Sequence, residues 1–489
     1  MGRRSEKRHK GQPQQPSARV NTPLFFLLAA LLLLFGSYYD FTVLLAGAVL
    51  ALLLIHAVLR RGALALPRGP ALYLLGGIVL CAFLTAPVAL SPGMALIGGL
   101  RWMAALLFFL YAGTYTGTEK RMILDSIAWL GTGMAAVSLC LFLGERLTGG
   151  EDANGRIDGF FQYANTYAVF LLVCLLLLAL KEERKRRDYA AMAVLVVTIF
   201  LSGSRGVFLL LAAVGLFWFL HTLVSSRRVL PALVGAAAVV LLGALAVFLS
   251  GGLVLDRLRA ITLESSSLNG RLLYDLDGLR ILAAHPFGVG RGGCLYVQPL
   301  FQTGPYILRS IHNEYLQAAL DEGILSGVLL VALAAWIVLR RGAPLRERAA
   351  AAVLALHACI DFDFQFFGML CLLLLLGSGG ETREVSVPKP AVWAAGGLAA
   401  AALGFFTIPY TLSFFGDSQG AYALWPADLS LAEERLQHCT DLEEAGRIAD
   451  RILASTDTSM LAWDCKFALA AQEADYRTMA ECRFQYLRL

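Results

Sequence analysis

The stretch "PLFFLLAALLLLFGSYYDFTVLLAGAVLALLLIHAVLRR", residues 23–61, holds two apolar runs separated by "SYYD" at 37–40 and ends on Arg60 and Arg61. Neither run alternates polar and apolar residues, so neither has the two-residue period of a strand with one wet face. Neither carries the polar stripe of a helix lying on a soluble core. In hydrocarbon every backbone N–H and C=O must be satisfied internally, and a helix does this within one segment. The second run, 41–59, has close to the roughly 20 residues that a helix needs to cross a bilayer. The pair is read as two membrane helices joined by a tight turn.

The same pattern recurs outward from this pair. Spans are expected at 23–36, 41–59, 71–90, 94–114, 121–143, 163–180, 190–203, 206–224, 229–250, 323–339, 349–361, 366–378 and 391–410. The fold class is therefore an all-α polytopic membrane protein of about 12–13 transmembrane helices. Composition agrees: of 489 residues, 58% are hydrophobic and 16% charged, with a mean hydropathy of +0.65. A soluble chain is about half apolar and a quarter charged.

Basic residues mark every second connection, and short connections rich in Lys and Arg stay in the cytoplasm. Arg3, Arg4, Lys7, Arg8 and Lys10 come first, then Arg60 and Arg61, then Lys120 and Arg121. The cluster Lys181 to Arg187, then Arg227 and Arg228, then Arg340, Arg341, Arg346 and Arg348 continue the phase. The intervening "SYYD", "SPG" at 91–93 and "DFDFQ" at 361–365 carry none. This puts a basic tail, 1–22, in the cytoplasm, the transmembrane region at 23–410, and residues 411–489 outside. The net charge of +5 is accounted for by these residues and calls for no nucleic-acid partner. No small-residue cleavage site follows the first run, so a removed signal peptide is not expected. A disulfide among Cys439, Cys465 and Cys482 stays open at this level.

Two outer segments are long enough for chemistry. The loop 251–322 is nearly balanced, with six Arg and seven Asp or Glu, so an anion site there must come from local placement of arginines. Its "GVGRGG" at 288–293 lacks a preceding βαβ unit and is read as a turn, not a nucleotide loop. The C-terminal segment reads as short helices, with Leu442, Ala445, Ile448, Ala449, Ile452 and Leu453 on one face. The pairing resembles a fragment of a tetratricopeptide-type array. It is either a packing appendage or the site of a protein partner.

An ionisable side chain in or bordering the membrane is expensive and points to function. Arg205 in "LSGSRGVFLL" sits at the outer end of a tight hairpin, flanked by Gly203 and Gly206; a snorkelling Arg is the bland alternative. In "SIHNEYLQAALDEGILSG", the apolar face formed by Ile311, Tyr315, Leu316, Ala319 and Leu320 places His312 and Asn313 in a helix's first turn. A His there suits general-base work, and a capping or surface His is the alternative. Arg271 and Arg280 lie in "NGRLLYDLDGLRILAAHPFGVGRGG". In "GRIDGFFQYANTYAVFLL", Arg156 and Asn165 fall on the outer side. Arg101, and His357 with Asp361, are read as structural.

Taken in order, "GFFQYANTYA", "SGSRG", "GRLLYDLDGLRILAAHPFGVGRGG" and "HNEYLQAALDEGILSG" resemble the O-antigen ligase and O-antigen polymerase (Wzy-type) superfamily. The resemblance covers roughly residues 70–380. It implies a GT-C-like, metal-independent glycosyltransferase without a cofactor, in the bacterial cytoplasmic membrane. The donor it implies is a glycan on undecaprenyl diphosphate, and the acceptor a glycan or glycolipid hydroxyl, with membrane lipids as surroundings. Carried over, Arg205 and Arg271 would bind the diphosphate and His312 would act on the acceptor. Asn165, Arg280, Asn313 and Tyr315 are expected to support the substrate. Where the family often has Pro, this chain has Arg291, which leaves the role of that arginine open. The rival from another class is a transporter or flippase of lipid-linked glycans, which should show inverted repeats and helices broken at the midplane.

Overall fold

The computed structural model describes residues 22–148, 155–226, 229–262 and 266–488. Apart from Thr22, the expected basic tail lies outside the described residues, as do Arg227 and Arg228. The first nine helices are α1 (Pro23–Leu33), α2 (Asp40–Arg61), α3 (Ala71–Thr85), α4 (Pro92–Ala112), α5 (Gly117–Thr148), α6 (Ala164–Ala179), α7 (Arg186–Leu201), α8 (Arg205–Ser226) and α9 (Val229–Leu249). The long loop contains α10 (Leu253–Arg259), α11 (Ser266–Ala284), α12 (Cys294–Val297) and α13 (Glu314–Glu322). Then come α14 (Ile324–Leu339), α15 (Leu345–His357), α16 (Phe367–Gly377) and α17 (Lys389–Phe414). Each expected span overlaps one of these helices, although the one expected at 349–361 ends at His357 and the one expected at 23–36 ends at Leu33, and the chain is an all-α polytopic membrane protein.

By length and composition, α2, α3 with its extension to Val88, α4, α5 and α17 are long enough to cross a membrane. Residues 233–259 of α9 and α10 add a sixth if taken together, although they bend by 116°. The shorter α6 and α16 have a different setting. Residues 166–178 of α6 and all of α16 are buried, with α6 packed on α5, α7 and α15, and α16 on α4, α15 and α1. A helix apolar on every side and enclosed by other helices is held by close packing, since lipid provides no water to expel.

The basic connections converge at one end. Lys120 Nζ donates to the Ser378 carbonyl at 2.7 Å and Arg340 Nη1 to that of Gly377 at 2.9 Å. Arg346 Nη1 reaches Asp125 at 2.7 Å, and Lys181 pairs with the same carboxylate at 3.7 Å. A two-stranded antiparallel ribbon, β1 (Leu64–Pro67) with β2 (Thr382–Val385), joins two of these connections in the register Leu64 to Val385.

At the opposite end, the glycine-rich turn is bonded to the end of α13 and the start of α14. Val289 N donates to Leu320 O at 2.7 Å, Gly290 N to Asp321 O at 3.1 Å, and Ile324 N to Pro286 O at 3.0 Å. Gly288 has φ +88°, and a Cβ there would lie 2.6 Å from the Gly323 nitrogen, so the turn admits no side chain. It is a backbone clamp between two motifs. Arg291 leaves this clamp to pair with Asp40 at 2.9 Å, and Arg101 holds the other oxygen of Asp40 at 2.7 Å.

Residues 418–488 form α18 (Ser418–Leu424), α19 (Leu429–His438), α20 (Leu442–Ser455), α21 (Met460–Gln472) and α22 (Tyr476–Arg488). Asp417, Asp428, Asp441 and Ser459 accept backbone N–H groups as caps of the first four. Ala445, Ile448, Ala449 and Ile452 are buried as the spacing implies, whereas Leu442 is exposed. These helices share a core with Met94 and Tyr296. The cysteines of this segment are free thiols.

Candidate active site

The connection between α15 and α16 organises the site. Two stacked contacts fix it: the Tyr163 ring lies 4.7 Å from that of Phe362 at 26°, and 5.9 Å from that of Phe366 at 15°. Below it, His357 Nδ1 meets Asp363 Oδ2 at 2.6 Å, and Thr166 donates to the other oxygen at 2.8 Å. Glu314 accepts the backbone N–H of Phe364 at 2.7 Å and of Gln365 at 2.9 Å. Burial, first of all, pushes the Glu314 carboxyl up to about 8.

Held this way, the fully buried Asp361 takes donors on both oxygens. Oδ1 accepts from the Tyr163 hydroxyl at 2.8 Å and the Phe362 N–H at 3.0 Å, and lies 3.2 Å from His312 Nδ1. Oδ2 accepts from Asn165 Nδ2 at 2.8 Å and Arg271 Nη2 at 3.0 Å. Burial works against its charge. The bond from His312 and the nearby charges of His357, Arg271 and His312 win, holding Asp361 below the usual carboxylate range. An ionised carboxylate only accepts, so His312 Nδ1 carries the proton in this pair. Its Nε2 is then the basic nitrogen. The His312 ring lies 4.9 Å from Phe362 and 6.3 Å from Tyr274.

Arginines gather beside this carboxylate. Arg156 Nη2 donates to Asn165 Oδ1 at 2.9 Å and its Nε to the Ser202 carbonyl at 2.7 Å. Arg205 Nη1 donates to the Ala260 carbonyl at 3.1 Å. A Cβ on Gly203 would lie 3.4 Å from both Arg156 Nε and Arg257 Cγ, so these two flank the hairpin glycine. Burial lowers the Arg156 guanidinium, and the like charges of Arg257 and Arg205 lower it further. Arg156, Arg205, Arg257 and Arg271 thus still outnumber the nearby carboxylates Asp361, Asp158 and Asp275. Such a surplus suits an anion with several oxygens, which guanidinium forks bind bidentately.

The structure brings Asn165, Arg271 and His312 onto one carboxylate, with Arg205 close by. It does not bring in Arg280, which pairs with Asp277 at 2.7 Å and is half exposed. His312 and Asn313 both lie before the helix, not in its first turn: Asn313 Oδ1 caps α13 by accepting the Leu316 N–H at 3.2 Å. Tyr315 donates to the Ala355 carbonyl at 2.9 Å, tying α13 to α15. The sequence alone reads Asp361 as structural and does not single out Tyr163 or Arg257. The available signals were two carboxylates in a connection without basic residues, and a Tyr two positions before Asn165. Among the described residues, no three His, Cys, Asp or Glu side chains converge as a metal site.

Residues 190–331 match the family model described as O-antigen ligase. The match supports the O-antigen ligase and polymerase superfamily for this chain. It runs from within α7 to within α14, and so includes Arg205, Arg271 and His312. Tyr163, Asn165 and Asp361 reach the O-antigen ligase-like segment from outside it. At a coarse level, the chemistry that goes with this family is glycan transfer of the ligase or polymerase type. No curated protein matches the chain.

Proposed function

We propose that this chain transfers a glycan from undecaprenyl diphosphate to a hydroxyl of an acceptor glycan or glycolipid, at the outer surface of the bacterial cytoplasmic membrane. What carries the reading is the meeting of Arg271, His312 and Asn165 on the buried Asp361, beside three further arginines. The acceptor oxygen forms the new bond to the anomeric carbon while the bond from that carbon to the diphosphate oxygen breaks. The electron pair leaves with the diphosphate, whose growing charge Arg271, Arg205 and Arg156 stabilise. The acceptor's proton goes to His312 Nε2. Asp361 fixes the tautomer and steadies the imidazolium that results, as the carboxylate of a Ser-His-Asp triad does. Attack opposite the leaving group inverts the anomeric centre.

The first test replaces Arg205, Arg271 and His312 singly by Ala and measures extracellular polymer made by correctly inserted protein. We expect Arg271→Ala and His312→Ala to reduce transfer by about a hundredfold or more. Full activity in all three overturns the assignment. A flippase would move the lipid-linked glycan across vesicles without making a new glycosidic bond, so product analysis separates the two classes.

A further inference from the structure

The residues assigned so far account for the diphosphate and the proton, but not for the sugars. A cleft of about 300 Å³ opens beside Arg156, lined by Ser138, Leu141, Phe142 and Glu145 of α5 and by residues 156–160. That volume is at the small end of ligand pockets. Its floor is fixed: the Ser138 and Tyr167 hydroxyls are 3.0 Å apart, and Tyr167 is fully buried. Arg146 covers one side, 5.2 Å from the Phe142 ring and bonded to the Ser250 carbonyl at 3.0 Å. We propose that this cleft is a glycan subsite, taking uncharged sugar residues next to the one that reacts.

Three observations argue for sugar over the other parts of the substrate. The lining mixes the rings of Phe142 and Phe160 with Glu145, Asp158 and Arg156, so it offers apolar faces to ring C–H groups and charged groups to hydroxyls. The carboxylates Glu145 and Asp158 offset Arg156 and the adjacent Arg146, so the cleft lacks the arginine surplus that a diphosphate needs, and desolvating these charges against a polyprenyl tail is costly. Arg156 belongs both to the cleft and, through Asn165, to the Asp361 cluster, so a chain in the cleft is continuous with the reacting centre. Height fits as well. At 1.5 Å per residue, 141–145 lie roughly 30–38 Å along α5 from Lys120, against a hydrocarbon core of about 30 Å. In the expected orientation the cleft opens at the outer headgroup level.

The inference rests on the transferase reading, and the experiment separates their failures. The full-length protein is assayed in nanodiscs with lipid-linked glycan purified from the host's own membranes, and binding of sugar-free undecaprenyl diphosphate is measured alongside. The variants are Leu141→Trp, which fills the cleft from an exposed position, and Glu145→Gln, which keeps shape and removes charge. We expect KM to rise about tenfold for Leu141→Trp and severalfold for Glu145→Gln, with kcat within about twofold. Binding of undecaprenyl diphosphate should not change. A rise in the donor's KM assigns the cleft to the donor glycan, and a rise in the acceptor's KM to the acceptor. Unchanged KM for both substrates in both variants overturns the subsite, as does weakened binding of undecaprenyl diphosphate, which would make the cleft a tail site. If Arg271→Ala retains full transfer and binding, the transferase reading itself has failed.

Discussion

At the scale of single residues, Asp361 combines catalytic geometry with structural cost. Asp361→Asn keeps the volume but leaves one accepting oxygen; with that oxygen on Asn165 and Arg271, its NH2 faces His312, and Nδ1 no longer has to carry the proton. We expect transfer to fall by about 10²–10⁴-fold, the range seen when a triad loses the carboxylate behind its His, with the protein still inserted and monodisperse. Asp361→Ala goes further: Arg271 is left in a largely buried place without its partner, at a cost of about 3–5 kcal/mol. The sign of the pH effect follows from Asp361 being held below the usual carboxylate range. Its stabilisation is full above the unfolded value near 3.9 and is lost only as pH falls below that, so between pH 5 and 8 the deficit of the Ala variant should stay constant. Glu314 behaves oppositely. Its carboxyl is raised from 4.5 to about 8, so the folded state keeps a proton that the unfolded chain has already released. Stability is highest below about 4.5 and falls as pH climbs through 8. Glu314→Gln still accepts the two backbone N–H groups and does not titrate. Thermal unfolding in detergent at pH 6 and pH 9 should show the wild-type slope flattened in this variant, and an unchanged slope sinks the idea.

At the scale of elements, the spans were legible because all-round apolarity is a local property of about 20 residues. The site was only half legible for the opposite reason. Asp361 meets Tyr163 across 198 positions and Arg271 across 90, and no periodicity records such a meeting. His312 and Arg271 stood out as ionisable residues in family-like motifs, whereas the carboxylate they share looked like one more polar residue in a turn. Asn313 and Tyr315 share a motif with His312 and yet bond the backbone, because a helix start needs a cap and a helix pair needs a tie, while Asn313 also bonds Asp275 beside His312. The packing of α8 yields a prediction of its own. A Cβ on Gly206 would lie 2.9 Å from Ile360 Cδ1 and 3.5 Å from His357 Nε2. Gly206→Val therefore pushes the first turn of α8, with Arg205, away from the Asp361 connection, and we expect transfer to drop at least about tenfold. Gly215 of the same helix has nothing within 4 Å of such a Cβ. Gly215→Ala should keep full transfer and gain up to about 1 kcal/mol from the stiffer unfolded chain, so the pair separates displacement of α8 from a general effect of losing glycine.

At the scale of the whole molecule, the C-terminal helices are tied to the site through a continuous set of contacts. Ser91 donates to the Ala427 carbonyl at 3.2 Å, and Thr458 donates to the Tyr296 carbonyl at 2.5 Å, while the Tyr296 hydroxyl donates to Glu433 at 3.0 Å. Tyr296 belongs to α12, α12 follows the glycine-rich clamp, and the clamp is bonded to the end of α13, whose cap stands next to His312. A segment recruited only to hold a partner would not need to brace the loop that carries the base. Removing residues 416–489 uncovers Met94 and Tyr296 and leaves α12 without its support. We expect this truncation to lower the unfolding temperature by several degrees and to reduce transfer with it. Removing α22 alone is a milder cut, since Tyr476, Phe484 and Leu487 already face solvent and Cys482 is the residue of that helix that is buried. That shorter truncation should keep both stability and transfer. Should the longer truncation also stay monodisperse with full transfer, the contacts through Tyr296 carry no support to His312, and the helices are an appendage to an independent membrane core.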